Sequence, residues 1–159
     1  MRSILILFLF ILCMQALTQQ SVQKTAIPPF QLVLTDGSGF SYKNLQKGRP
    51  LIIVYFAPEC DHCRVFMGSL LKSIKKLTHT QILLVSYFPL PALQQFSHDF
   101  KLQQFPNIKL GTEGNAFLIP AYFKIGKFPF TAVFNKAGKL IATFKEAPSV
   151  EVLARFVKN

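Results

Sequence analysis

Acidic residues are scarce in this chain, and cysteines are scarcer still. Seven Asp and Glu stand against eighteen Lys and Arg, a formal charge of +11. The basic residues are scattered and form no block, so the excess reads as a solvated, lysine-rich surface; the sharper alternative is attraction to acidic partners or anionic lipid headgroups. No nucleic-acid-binding motif is present, and the Phe residues fall in apolar strand or helix patterns instead of alternating with basic ones, which sets nucleic acid aside as a partner. Internal repeats and low-complexity segments are lacking too. So is any apolar run long enough to span a bilayer comfortably: the longest, Ile4 to Met14, has eleven residues. Preceded by Met1 and Arg2 and followed by polar "QALTQQ", that run matches a secretory signal peptide, with cleavage after Ala16 or Thr18. An uncleaved anchor or a buried N-terminal strand is the alternative. Leu12 occupies the position where a lipoprotein signal has a small residue, which argues against lipidation at Cys13.

Loss of the signal leaves Cys60 and Cys63 as a paired set and, with Arg2 gone, a charge of +10. The expectation is an exported, periplasmic protein, with secretion or membrane anchoring as alternatives. Disulfides persist outside the cytoplasm, but a bridge closing so short a loop restrains the unfolded chain little, so a purely stabilising role is the weaker reading. With 159 residues, half of them hydrophobic, the chain has material for one cored domain. Its expected division is a signal at 1–18, a short leader at 19–29 ending in two prolines, and a domain at 30–159.

Within that domain "FQLVLT" (30–35) reads as a strand ended by the turn "DGSG", and "SYKNLQKG" (41–48) as one or two helical turns stopped at Gly48. "LIIVYF" (51–56) is continuously apolar, as a strand buried on both faces should be, and Pro58 ends it. Cys63, Phe66, Met67, Leu70, Ile74 and Leu77 then recur at intervals of three and four, one apolar stripe along a helix. "QILLVSYF" (81–88) is a second buried strand and "PALQQFSHDF" (91–100) a helix opened by Pro91. The stretch 103–127 shows a short strand near Ile108 and a short helix around Phe117 to Phe123. "FTAVFN" and "KLIATFKE", joined by "KAG", form a β-hairpin, and Ser149 caps a final helix carrying Leu153, Phe156 and Val157. Alternating strands and helices closed by a hairpin predict an α/β fold, a three-layer α/β/α sandwich around a mixed sheet.

Cys60 and Cys63 sit between a buried strand and a helix, and the stripe makes them unequal. Cys63 begins the apolar face; Cys60 lies at or before the first turn. Free N–H groups and the macrodipole at a helix start favour a thiolate, so Cys60 is expected to have a lowered pKa and to be the nucleophile, with Cys63 the resolving thiol. Protonated His62 and Arg64 favour that thiolate and hence a more oxidising pair, whereas Glu59 and Asp61 oppose it. Glu59 is also the nearest group to accept a proton from Cys63, with a simple exposed carboxylate as the equal alternative.

The buried strand, the Cys-x-x-Cys at a helix start and a later proline opening a hairpin resemble the thioredoxin superfamily, most closely the exported TlpA/ResA-like thiol-disulfide oxidoreductases, over residues 30–159. The resemblance implies that Pro129 in "GKFPFTAVFN" is a cis-proline facing the cysteines and that Phe128 backbone pairs with an extended substrate peptide. It implies exported protein thiols or disulfides and an upstream redox partner as partners, membrane contact only through an uncleaved signal segment, and no dissociable cofactor or metal. Two positions depart from the pattern: Glu59 stands where many relatives carry Trp, and Val54 where thioredoxin has a buried acid for proton transfer.

The rival from another class is a metal carrier, since "ECDHC" offers thiolate, imidazole and carboxylate, and copper-delivery proteins also use thioredoxin-like folds. A structural zinc site wants four ligands, however, and no second Cys-x-x-Cys exists. His79 and His98 read as surface polar residues on helices. Arg64 replaces the histidine that haem attachment at Cys-x-x-Cys-His requires. A peroxidase is the least favoured reading, because Pro58 lies too close to Cys60 with no hydroxyl residue between.

Overall fold

The computed structural model describes residues 26–158. The expected signal at 1–18, with Cys13, and residues 19–25 of the expected leader lie outside the described residues. The rest of that leader is built into the domain, with Ala26 bridging Lys139 and Pro28 buried.

Seven strands, β1 (Gln31–Leu34), β2 (Gly39–Ser41), β3 (Leu51–Tyr55), β4 (Gln81–Ser86), β5 (Ile108–Thr112), β6 (Phe130–Phe134) and β7 (Leu140–Phe144), make one mixed sheet in the order β2-β1-β5-β4-β3-β6-β7. β3, β4 and β5 are parallel. β6 lies antiparallel beside β3 and forms the hairpin with β7, while β1 is antiparallel to both β2 and β5. The helices among the described residues are α1 (Asp61–Lys72), α2 (Leu90–Asp99), α3 (Leu118–Phe123) and α4 (Val150–Lys158).

The period of two along a strand divides the core. Ile52 and Val54 of β3 join one cluster with Cys63, Phe66, Met67 and Leu70 of α1, Leu93 and Phe96 of α2, and Leu153 and Val157 of α4. Leu51, Ile53 and Tyr55 turn to the other face, where Ile119 of α3, Phe30 and Phe134 meet them. Every residue of β3 and β6 is consequently buried, which is why neither strand alternates in sequence. The three expected layers are present, and the fold is α/β.

Local differences from the expected elements have local causes. The apolar stripe does not ride one helix: α1 ends at Lys72, and Ile74–Leu77 is a separate 3-10 turn that still delivers Leu77 to the core. A spacing of three is met as well by 3-10 as by α geometry. The helical turns expected at 41–48 shrink to Tyr42–Asn44, because Leu45 at its end is extended. β2, absent from the expectation, exists because Asp36 accepts hydrogen bonds from both the backbone and the hydroxyl of Ser38, folding the chain back at Gly37 (φ 84°). β1 then approaches β5 so closely that a Cβ on Gly111 would meet the Val33 carbonyl at 2.9 Å.

Leu70 is fully buried and Val65, on the opposite side of α1, is 70% exposed. Leu70→Ala is expected to lower the unfolding free energy by about 2–5 kcal/mol, and Val65→Ala to stay within about 0.5 kcal/mol. Urea unfolding of the two variants measures both.

Candidate active site

β3 and β6 bring the site together. Their register pairs Tyr55 with Phe130. The two residues that precede β6, Phe128 and Pro129, are therefore carried to the end of β3, where the chain runs through Ala57 and Pro58 into Cys60. The Phe128–Pro129 peptide is cis, the geometry that the resemblance implies for Pro129. The Phe128 carbonyl lies 4.0 Å from the Cys60 sulfur, to which its lone pair offers a weak acceptor.

Cys60 is the N-cap of α1. Its backbone is extended (φ −78°, ψ 115°), its carbonyl accepts the first helical bond from Arg64, and its sulfur accepts the Cys63 N–H at 3.3 Å. Ser, Thr or Asp normally fills this role with oxygen. A sulfur in their place strengthens the bond on becoming a thiolate, because a donor of the first turn then points at a full charge. The two thiols are free and unlike in exposure: Cys60 is partly exposed, whereas Cys63 is 2% exposed. Burial, and then the hydrogen bond with Cys60, push the Cys63 thiol up to about 12.

The flanking residues divide into two groups. Glu59, Asp61 and His62 are all exposed around Cys60. Arg64, expected to act on the thiolate, has its guanidinium engaged by other groups. Its guanidinium donates to Asp99 at 2.9 Å and to the Pro58 carbonyl at 3.4 Å, and lies over the rings of Phe96 and Phe100 at 5.7 and 5.2 Å. The hydrogen bond from Arg64 holds the Asp99 carboxyl below its usual range. Arg64 thus straps α1 to α2. His79 and His98 are both exposed, as read from the sequence. Among the described residues no three His, Cys, Asp or Glu side chains gather closely enough to hold a metal ion.

Several residues around the site escaped sequence reasoning. Glu113 is 8% exposed; one carboxylate oxygen accepts the Tyr55 hydroxyl at 2.7 Å, and the other accepts the N–H groups of Leu118 and Ile119 at 3.1 and 3.2 Å. It therefore ties the first turn of α3 to the end of β3, and burial together with Glu113 keeps the Tyr55 hydroxyl protonated well above its usual range. Phe117, held just before α3 at φ 44°, an uncommon conformation for so bulky a residue, is 44% exposed. Its ring meets Tyr87 at 5.5 Å, and Tyr87 meets Phe128 at 6.3 Å. Tyr55 also packs on Phe128, at 5.8 Å. An aromatic ledge thereby extends from the carbonyl beside Cys60 to open solvent. The sequence did carry one signal for Glu113: it is the lone acid between Asp99 and Glu146. Thr131, opposite Val54, adds a fully buried hydroxyl with no hydrogen-bond partner among the described residues.

The arrangement generates two expectations. Iodoacetamide at neutral pH should alkylate Cys60 and spare Cys63, whose alkylation should rise with pH up to about 12 as its proton is lost; peptide mapping of the modified sites follows this. Glu113→Ala should cost roughly 2–4 kcal/mol in urea unfolding, since three donors lose a charged acceptor. Glu113→Gln should cost less, because an amide oxygen can still receive the two N–H groups.

No protein-family model matches the sequence. Over 103 residues the chain is 30% identical to Bloodstream-specific protein 2 of Trypanosoma brucei brucei, a match that spans 65% of this chain and 20% of that protein. Solved structures are similar over more of the chain. DsbF of MTB, in mixed oxidized and reduced forms, superposes with a TM-score of 0.69 at 20% identity, covering 82% of this chain and 93% of that one. A secreted Mycobacterium tuberculosis disulfide oxidoreductase homologous to E. coli DsbE gives 0.67 at 18%, covering 82% and 95%. Copper-bound ScoI of Arabidopsis thaliana gives 0.64 at 16%, covering 82% and 94%. With its central strands, its helix-capping Cys-x-x-Cys and its cis-proline arranged as they are, the chain has a thioredoxin-like fold.

Proposed function

We propose that this protein is a thiol-disulfide oxidoreductase that exchanges its Cys60–Cys63 dithiol with disulfides of exported proteins. The observation that carries this reading is the inequality of the two sulfurs. Cys60 caps α1 within reach of solvent, 4.0 Å from the Phe128 carbonyl, whereas Cys63 is shut into the core. A metal clip gains nothing from that inequality; stepwise exchange depends on it.

The Cys60 thiolate attacks one sulfur of the substrate disulfide. The substrate S–S bond breaks, its other sulfur leaves as a thiolate and takes a proton, and a mixed disulfide joins Cys60 to the substrate. At that moment the Cys60 sulfur is no longer an anion receiving the Cys63 thiol proton, so the second cause of the raised Cys63 value is relieved. Cys63 loses its proton to solvent or substrate and attacks the Cys60 sulfur, expelling the second substrate thiol. Two electrons have passed to the substrate, leaving a Cys60–Cys63 disulfide; the same steps reversed donate a disulfide.

The ledge formed by Phe128, Tyr87 and Phe117 would receive the substrate segment next to the reacting cysteine. Export, with the redox pair working outside the cytoplasm, is the setting that the signal-like residues 1–18 support.

Cys63→Ala should accumulate a stable mixed disulfide with a disulfide-bonded model peptide, and Cys60→Ala should not; intact mass before and after reduction tells them apart. Capture by the Cys60 variant alone, or turnover by the wild type no faster than by the double variant, refutes the assignment.

A further inference from the structure

The end of the sheet away from Cys60 is built very differently. Leu51 opens β3 beside Gln81 of β4 and Phe134 of β6, so the β6–β7 turn at 135–139 lies at this pole with the segment that leads into β3. Two adjoining recesses open here and share Gly48, Arg49 and Lys136. The first, about 680 Å3, is lined by Lys43, Lys47, Arg49 and Lys136 around the apolar Ile27 and Leu45. The second, about 760 Å3, adds Lys75, Lys76 and Lys158, with His79 beside them. Neither lining contains an Asp or Glu. Glu151 pairs with Lys76 and offsets one charge of this group. The acids of the opposite end, Glu59, Asp61 and Asp99, lie near Cys60 and Arg64, so the molecule is electrically polar as well as basic.

The chain also enters the domain at the basic pole. Ala26 bridges Lys139, and Ile27 contributes to the first recess. Under the uncleaved-anchor alternative, the apolar run Ile4 to Met14 stays on the chain and ends twelve positions before Ala26. A clustered basic surface attracts an anionic bilayer by itself, and a retained short apolar segment would add to it. Each Lys or Arg close to an anionic bilayer adds to the attraction.

We propose that this pole docks on an anionic phospholipid surface, which holds Cys60 at the end of the domain facing away from the bilayer. The docking is a property of the pole and does not depend on the exchange chemistry.

The test uses the full chain, co-sedimented with vesicles of phosphatidylcholine alone and of phosphatidylcholine mixed with phosphatidylglycerol. Binding through the apolar run is read in the neutral vesicles. Binding through the pole is the increment due to phosphatidylglycerol, and it should fall as salt is raised. The triple variant Lys43→Glu, Lys47→Glu, Lys136→Glu should lose at least about tenfold of that increment. A control of equal charge change outside both recesses, Lys101→Glu, Lys127→Glu, Lys145→Glu, should keep most of it. Turnover of a model disulfide in solution should be unchanged in the pole variant, which also shows that it has folded. An increment that is absent in the wild type, or that survives the pole substitutions, overturns the proposal and leaves an acidic protein as the partner for this surface. Equal loss in the control overturns it too, by assigning the attraction to net charge alone. If the pole variant does not fold, the wild-type increment and its salt dependence still decide, since an increment insensitive to salt is not electrostatic docking.

Discussion

The register between β3 and β6 is the constraint on which the site depends. Tyr55 lies opposite Phe130, and Val54 opposite Thr131, along a fully buried antiparallel pair. A slip of one residue would turn each side chain to the wrong face of the sheet, exchanging the α1 side for the α3 side. Burial on both faces makes that slip costly, and the same burial fixes how far Phe128 reaches past the end of β3. The position of the Phe128 carbonyl over the Cys60 sulfur is therefore set by core packing some residues away, not by any interaction at the cysteines themselves.

Electrostatics then refine what packing has placed. Cys60 receives a backbone N–H from the start of α1, while the arginine nearest in sequence spends its charge on Asp99 and on two aromatic faces. A fixed backbone dipole, which needs no reorganisation when charge appears, is thus the group aimed at the Cys60 sulfur. Glu113 shows the same economy on the other side of the sheet. Its buried carboxylate has no cation among its hydrogen-bond partners and is held by two N–H groups and a phenol. A buried carboxyl group in such a place is tolerable only because all three donors aim at it.

Much of this was legible in the sequence because the features are local. "LIIVYF" announced a strand buried on both faces, the stripe beginning at Cys63 told the shielded sulfur from the accessible one, and "KAG" marked the final hairpin. Pro129 was legible only through family resemblance, since a proline before a strand is ordinarily trans. The rest was hidden by distance along the chain. Glu113 takes its meaning from Tyr55, 58 residues earlier, and Arg64 from Asp99, 35 residues later. No periodicity links such pairs. β2 was hidden for the opposite reason: three residues are too few to show an alternation, and its existence is owed to the Asp36 turn and to the neighbour it finds in β1.

The two outer strands carry a consequence of a different kind. β2 is only three residues long, and β7 shows one side to solvent, with Ile141 36% exposed between Lys139 and Lys145. A sheet with seven strands would otherwise offer two long rows of unpaired N–H and C=O groups to any other extended chain. Brevity at one edge and lysines at the other make both poor templates for strand addition. The domain is in this way protected from annealing to other extended chains along its flanks, so that its sheet ends with itself.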